Sequence, residues 1–291
     1  MTAWKRAAHV VGGALAIGGA VFMVVRLREH SGQIDLVSLT GAEWLTFAGL
    51  LLINVTMIFL LTMAWREALR GGGAKVSLRW AFGVYGMTQL ARYVPGNIFH
   101  FAGRQMIGMA AGVPGLALAK ASATELLLLL LAGSVTALLA APLMAPSIGV
   151  WPGPWVALVF ALGIWTWLRL RGRQAFANAF LAYLVYMLLS AVIFVCVVIV
   201  HGGGAHLTWS SLIPLGAAYV AGWLVGLVTP GAPAGLGVRE VVLVLLLKGQ
   251  MDENVLLFAV LITRILAIVA DVLCFTAAVL LRRHTRYMGD A

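Results

Sequence analysis

Apolar residues in this chain are gathered into long blocks rather than spread at the alternating or every-third spacing of a half-buried element. Runs with almost no charge cover 7–25, 42–65, 121–141, 154–168, 176–200 and 255–281. A helix rises about 1.5 Å per residue, so roughly 17–25 such residues cross a hydrocarbon core of about 30 Å. Each block predicts one spanning helix. The block 154–168 is short, and Trp155, Trp165 and Trp167 at its ends fit interfacial anchors. Two further apolar stretches, 78–113 and 211–250, are interrupted midway. The first break reads Ala91-Arg92-Tyr93-Val94-Pro95-Gly96-Asn97. The second reads Thr229-Pro230-Gly231-Ala232-Pro233-Ala234-Gly235-Leu236-Gly237-Val238-Arg239-Glu240.

The two breaks correspond. Pro95-Gly96 is followed nine positions after the proline by Arg104 and then Gln105, and Pro230-Gly231 at the same spacing by Arg239 and Glu240. The offset is 135 residues, and it carries 42–65 onto 177–200 and 121–141 onto 256–276, both within predicted spans. The chain holds four Pro-Gly pairs, so the motif alone has little weight; the coincident flanking helices make the case for an internal duplication.

Charge then sets the sides. The net charge is +10, and its basic residues cluster in short connections: Lys5 and Arg6; Arg66, Arg70, Lys75 and Arg79; Arg169, Arg171 and Arg173; Arg282, Arg283 and Arg286. Such loops face the cytoplasm. No segment offers the basic face on a soluble domain that nucleic acid needs. The loop 142–153 is uncharged and reads as external. Between an inward 42–65 and an outward 121–141 an even number of passages is required, so 78–113 is expected to enter and return as a re-entrant hairpin. The same reasoning makes 211–250 a second one, entering from the opposite side.

The predicted fold is an all-α polytopic membrane protein with six full spanning helices and two re-entrant broken-helix hairpins in an inverted-repeat arrangement. Residues 1–291 form a single integral membrane domain: an extra first helix 7–25, repeat one at 42–141, a connecting helix within 142–176 and repeat two at 177–281. Arg26, Leu27 and Arg28 follow 7–25 where a cleavage site would need small residues, so that helix is expected to be retained. Both termini are expected in the cytoplasm. Composition agrees, with 62% hydrophobic and only 10% charged residues against about 25% charged in soluble domains.

Broken helices at matching places in inverted repeats point to a binding site at the membrane midplane. Proline removes a backbone donor and glycine admits turn conformations, so Pro95, Gly96, Pro230, Gly231, Gly235 and Gly237 free backbone groups that lipid cannot satisfy. The helices that resume after each break present N-termini worth about half a positive charge, which favour phosphate and carboxylate. Arg104 and Arg239 add forked cations suited to bidentate phosphate contact. An arginine at the bilayer centre costs roughly 2.5–3.5 kcal/mol on insertion scales. Two at equivalent places point to an anion there; the alternative is that Arg239 pairs with Glu240 or another carboxylate and only holds the hairpins together. Arg92 either guides a headgroup or reaches the cytoplasmic surface, and Asn97 and Glu240 complete the headgroup set. Glu125 is within reach of Arg104 or Arg92, as a structural pair or a coupling group. Arg264 and Asp271 lie seven apart on one helix face and meet charges from neighbouring helices or line a cavity.

Nothing else carries chemistry. Cys196 and Cys274 sit singly in apolar runs, the six histidines have no metal-ligand spacing, and no catalytic constellation stands out, so no metal, cofactor or enzymatic activity is expected. Among the histidines His100 alone lies in a break.

At Arg92-Tyr93-Val94-Pro95-Gly96 with Arg104, and more specifically at Pro230-Gly231 running into Gly235-Leu236-Gly237-Val238-Arg239-Glu240, the chain resembles the flippase-like family built on the transmembrane region of lysylphosphatidylglycerol synthases. The resemblance covers roughly 10–285. It departs where Ala232-Pro233-Ala234 interrupts a usually more compact Pro-Gly-Gly motif, and where the acidic-basic pair of the following helix is only Glu125 before Leu126. What it implies is an inner-membrane protein that moves or binds an amphiphilic lipid: an aminoacylated phospholipid, or a lipid of polyprenyl-linked glycan or hopanoid pathways. A lipid-modifying enzyme is the implied partner. The soluble synthase domain of the fused members is expected to be missing, and no catalytic residue carries over. The expected function is transport of an anionic lipid, phospholipid or polyprenyl-phosphate-linked, with the membrane lipid as substrate. Secondary transport of a small water-soluble anion, or a membrane-embedded transferase using Glu240, Glu125 or Asp271, are the alternatives.

Overall fold

The computed structural model describes residues 40–93, 98–201, 208–229, 235 and 237–282. The apolar block 7–25, the break residues Pro95, Gly96, Asn97, Pro230 and Gly231, and the basic residues after Arg282 lie outside that set. Within it, all regular structure is helical.

Among the described residues nine principal helices follow one another: α1 (Gly41–Gly71), α2 (Leu78–Gln89), α3 (Phe99–Ala110), α4 (Gly115–Ala137), α5 (Pro152–Leu170), α6 (Gln174–Val200), α7 (Trp209–Val228), α8 (Val238–Leu246) and α9 (Glu253–Arg282). A 3-10 turn, Leu90–Tyr93, ends α2 on the near side of the first break, and short helical turns carry α4 on to Met144. Among the described residues six helices are long and apolar enough to cross a membrane: α1, α4 with its extension, α5, α6, α7 and α9. The protein is an integral membrane protein. Five of these helices fall on predicted blocks; the sixth, α7, does not.

The difference at α7 has a physical origin. The expectation for 211–250 was a hairpin with its break in the middle. Its first limb is instead a 20-residue helix, about 30 Å long and able to cross unaided, while the second limb, α8, has 9 residues. No Pro-Gly pair interrupts 209–228, and Pro214, inside α7, removes one backbone bond without ending the helix. The first broken segment is even-handed: α2 and α3 have 12 residues each, about 18 Å, and neither can cross alone.

Helices α1 and α6 cross at the centre and are the most extensively packed pair. Trp65, Phe180, Tyr183 and Phe194 are fully buried there. Around this axis α1 also packs on α2, α4 and α9, and α6 on α4, α5, α7 and α9. α9 lies along α2, and α4 along α7. The short helices stay with their own segments, α3 on α2 and α4, α8 on α7 and α9. α5 is peripheral: it buries only Ala157, Ala161 and Leu168, and leaves Trp155 70% and Val159 69% exposed. A face of that kind is stable only where acyl chains are the solvent.

Hydroxyl and amide side chains obey the same solvent. Thr62, Thr88, Thr136 and Thr263 each donate to the carbonyl four residues back, as do Asn54 and Ser190. The bond stays inside the helix, so no polar group is left facing hydrocarbon. Where the second break meets α7, backbone approaches backbone: a Cβ on Gly226 would stand 2.9 Å from the Cα of Gly235. Gly235 and Gly237 have φ of +70° and +81°, which other residues adopt only with strain.

That crossing gives a test of the fold. Gly226→Ala should lower stability by about 1–3 kcal/mol, the usual penalty for overpacking. Gly83→Ala, whose Cβ meets nothing within 4 Å, should be neutral or stabilising by up to about 1 kcal/mol. Thermal unfolding in detergent of the two variants beside the parent chain reads the difference.

Candidate functional site

Three helices too short to cross the bilayer alone, α2, α3 and α8, bring polar residues to the centre of the bundle. Around the ends of α2 and α3 and the start of α8, the long helices leave a cavity of about 120 Å³, room for a few waters or a small headgroup. Its walls carry Arg92, Arg104, Arg239 and Arg264, and Glu125 is the one carboxylate residue among the lining residues.

Arg104, on α3, is 1% exposed. Its Nη1 donates to Glu125 Oε2 on α4 at 2.5 Å. The Tyr85 hydroxyl donates to the other carboxylate oxygen at 3.1 Å. The guanidinium lies over the rings of Tyr85 at 4.3 Å and Phe101 at 5.1 Å. Gly103 lets α3 approach α2 closely enough for this, since a Cβ there would meet the Thr88 side chain at 2.9 Å. Charge is thus matched by charge, and the ring faces replace water on the remaining surface.

Arg92 and Asp271 form a second pair, Nη2 to Oδ2, at 2.5 Å. The Tyr93 hydroxyl donates to Asp271 Oδ2 at 2.5 Å and accepts from Arg92 Nη2 at 2.9 Å, tying the end of the α2 segment to α9. Arg264 meets Glu240 at 3.1 Å, an ion pair without hydrogen-bond alignment. Glu240 also accepts from the backbone N–H of Gly237 at 2.6 Å, closing the first turn of α8.

Arg239 differs from the other three. Its guanidinium sits 4.1 Å over the ring of Tyr219, and no carboxylate lies within ion-pair distance among the described residues. The Glu240 that the sequence offered as its partner belongs to Arg264. The Nε–H groups of Arg92, Arg104 and Arg239 are all buried without a hydrogen-bond partner, and so is Nδ1 of His100 beside them. A buried donor without an acceptor costs about 1–3 kcal/mol, more when charged. The three guanidinium donors around one cavity are satisfied at a stroke by a ligand rich in oxygen.

Seven side chains singled out in the sequence, Arg92, Arg104, Glu125, Arg239, Glu240, Arg264 and Asp271, therefore gather in and just behind the walls of one cavity, and Gly235 lines it directly. Asn97 and the Pro-Gly pairs fall outside the described residues. The aromatic partners escaped the sequence reading. Tyr85 lies 19 residues before Arg104, and Tyr219 lies 20 before Arg239. At the offset of 135, Tyr219 corresponds to Val84, so a search for identical residues passes over a recurrent Arg-on-Tyr arrangement that geometry makes plain. Gln89, Asn54, Ser190 and Tyr186 also line the cavity and carried no motif at all.

Breaking the buried Arg104–Glu125 pair from one side strands a charge. Glu125→Leu or Arg104→Met alone should cost about 3–5 kcal/mol, and the double variant much less than their sum. Chemical unfolding of the four proteins in one detergent measures the cycle; additive single effects would show that the pair is not a unit.

No family model matches the chain and no curated protein matches it.

Proposed function

We propose that this protein moves an anionic lipid across the membrane, holding the headgroup in the central cavity while the acyl chains remain in the bilayer. The observation that carries the reading is the convergence of four arginines on one cavity at membrane depth, with Arg239 lacking a carboxylate. Intramembrane charge that is not paired off marks a substrate pathway. The three carboxylates a transferase would draw on for a base, Glu125, Glu240 and Asp271, are each held by an arginine. That favours binding over bond-making chemistry.

Packing supports an inverted repeat. Matching α1 to α6, α2 to α7, α3 to α8 and α4 to α9 preserves neighbours: α1 on α9 corresponds to α6 on α4, α2 on α9 to α7 on α4, α1 on α4 to α6 on α9. The helix order and the spacing of 135 residues agree with the same matching. Two units related in this way place one site between them and can open it to either side by rocking. Basic loops after α1 and after α5 set those connections, and both termini, on the cytoplasmic side of an inner-type membrane. On those sides α2 with α3, and α7 with α8, each make an inward and a returning limb, the unequal lengths of the second pair notwithstanding. The reading agrees with the flippase-like resemblance of the two break motifs, and a lipid-modifying enzyme is the partner it implies.

Native mass spectrometry of the gently extracted protein tests it. The parent chain should retain an anionic lipid, and Arg239→Gln should weaken that retention about tenfold or more, the value of one charge-assisted contact. Equal, unselective lipid adducts on both would leave Arg239 a structural residue and move the weight to a small soluble anion.

A further inference from the structure

The charges around the cavity do not cancel. Arg92 is matched by Asp271 at 2.5 Å, Arg104 by Glu125 at 2.5 Å and Arg264 by Glu240 at 3.1 Å. Each pair is one cation to one carboxylate. Arg239 is the fourth cation and has the ring of Tyr219 in place of a counterion. Residues 94–97 and 230–234, which complete the two breaks, contain no ionisable side chain. Among the described residues one positive charge is left over.

We propose, resting on the lipid reading above, that the cavity selects a lipid whose headgroup carries one net negative charge at a single phosphodiester. In a wall system of low dielectric every uncompensated charge is penalised, so the bound state closest to neutral is preferred. A phosphodiester brings the site to zero. A phosphomonoester or a diphosphate brings a second charge that finds no free cation. A zwitterionic or aminoacylated headgroup brings an ammonium that finds no free carboxylate, because Glu125, Glu240 and Asp271 are all engaged. The geometry of Arg239 fits the same ligand: a guanidinium held by its face against Tyr219 keeps its in-plane donors for the two non-bridging oxygens of one phosphate. His100, next to Arg104 in sequence space by one helical turn and with Nδ1 unsatisfied, supplies a neutral donor or acceptor for an uncharged headgroup alcohol.

The test is a competition on the purified full chain at pH 8, with four probes of equal acyl composition where they have acyl chains. These are phosphatidylglycerol with one charge, phosphatidic acid with nearly two, zwitterionic phosphatidylethanolamine, and diethyl phosphate as a chainless monoanion; retained ligand is read by native mass spectrometry. The parent chain should prefer phosphatidylglycerol by about tenfold over each of the other three. Asp271→Asn keeps an oxygen for Tyr93 and leaves Arg92 uncompensated, and it should move the preference to phosphatidic acid. Arg239→Gln disturbs none of the three pairs and should abolish the preference. Lipids retained with equal affinity, or an unchanged ranking in a folded Asp271→Asn protein, would overturn the charge-matching inference while lipid binding stands. Diethyl phosphate bound as well as phosphatidylglycerol, or no lipid retained in any arm, would overturn the lipid reading itself.

Discussion

A guanidinium inside a bilayer has to be met by another charge, by ring faces or by a ligand, because hydrocarbon offers it nothing. The interior of this protein is organised by that demand. Arg104 is met by Glu125 and sits over Tyr85 and Phe101, which draws α3 against α2 and α4. Arg92 is met directly by Asp271, with the Tyr93 hydroxyl bonded to both, which draws the end of the α2 segment to α9. Arg264 is met by Glu240, which draws α8 to α9. The short helices α2, α3 and α8 bury too little apolar surface to fix their positions in lipid, where apolar contact has no solvent-driven advantage. Ion pairs at their ends give them addresses.

Much of this was legible in the chain. Apolar block length predicted five of the described spans, because a hydrocarbon slab imposes one length on everything that crosses it. The breaks at 94–97 and 230–237 announced themselves through proline and glycine at a depth where neither is cheap. The arginines stood out for the same reason. The chain offered Arg104 or Arg92 as the partner of Glu125, and it is Arg104; the other partnerships it did not give. Glu240 follows Arg239 directly and looked like its counterion, yet neighbours in sequence on a helix point about 100° apart, and Glu240 turns to Arg264 on α9. The limbs of the second break were read as equal because hydropathy averages over a window, whereas α7 runs unbroken from Trp209 to Val228. The tyrosines under Arg104 and Arg239 carry no sequence signature, since in a run rich in aromatics a tyrosine announces nothing about what lies on its face.

The surroundings of the two arginines that follow the breaks differ. Arg104 and Arg239 occupy equivalent places after their breaks and both lie on a tyrosine. Only Arg104 has a counterion, because the position matching Glu125 in the second half is Val260. On the duplication proposed above, the two arginines would be equivalent, and the absence of a carboxylate at 260 would be what separates a paired arginine from one available to a ligand.

Arg264 and Asp271 stand on α9 at a spacing of seven residues, close to two full turns, and so project from nearly the same azimuth. One reaches the helix that follows the second break and the other the turn that precedes the first. Turning α9 by a single residue, about 100°, swings both side chains away from their partners in the same movement. The helix therefore has one angular setting at which both broken segments are held.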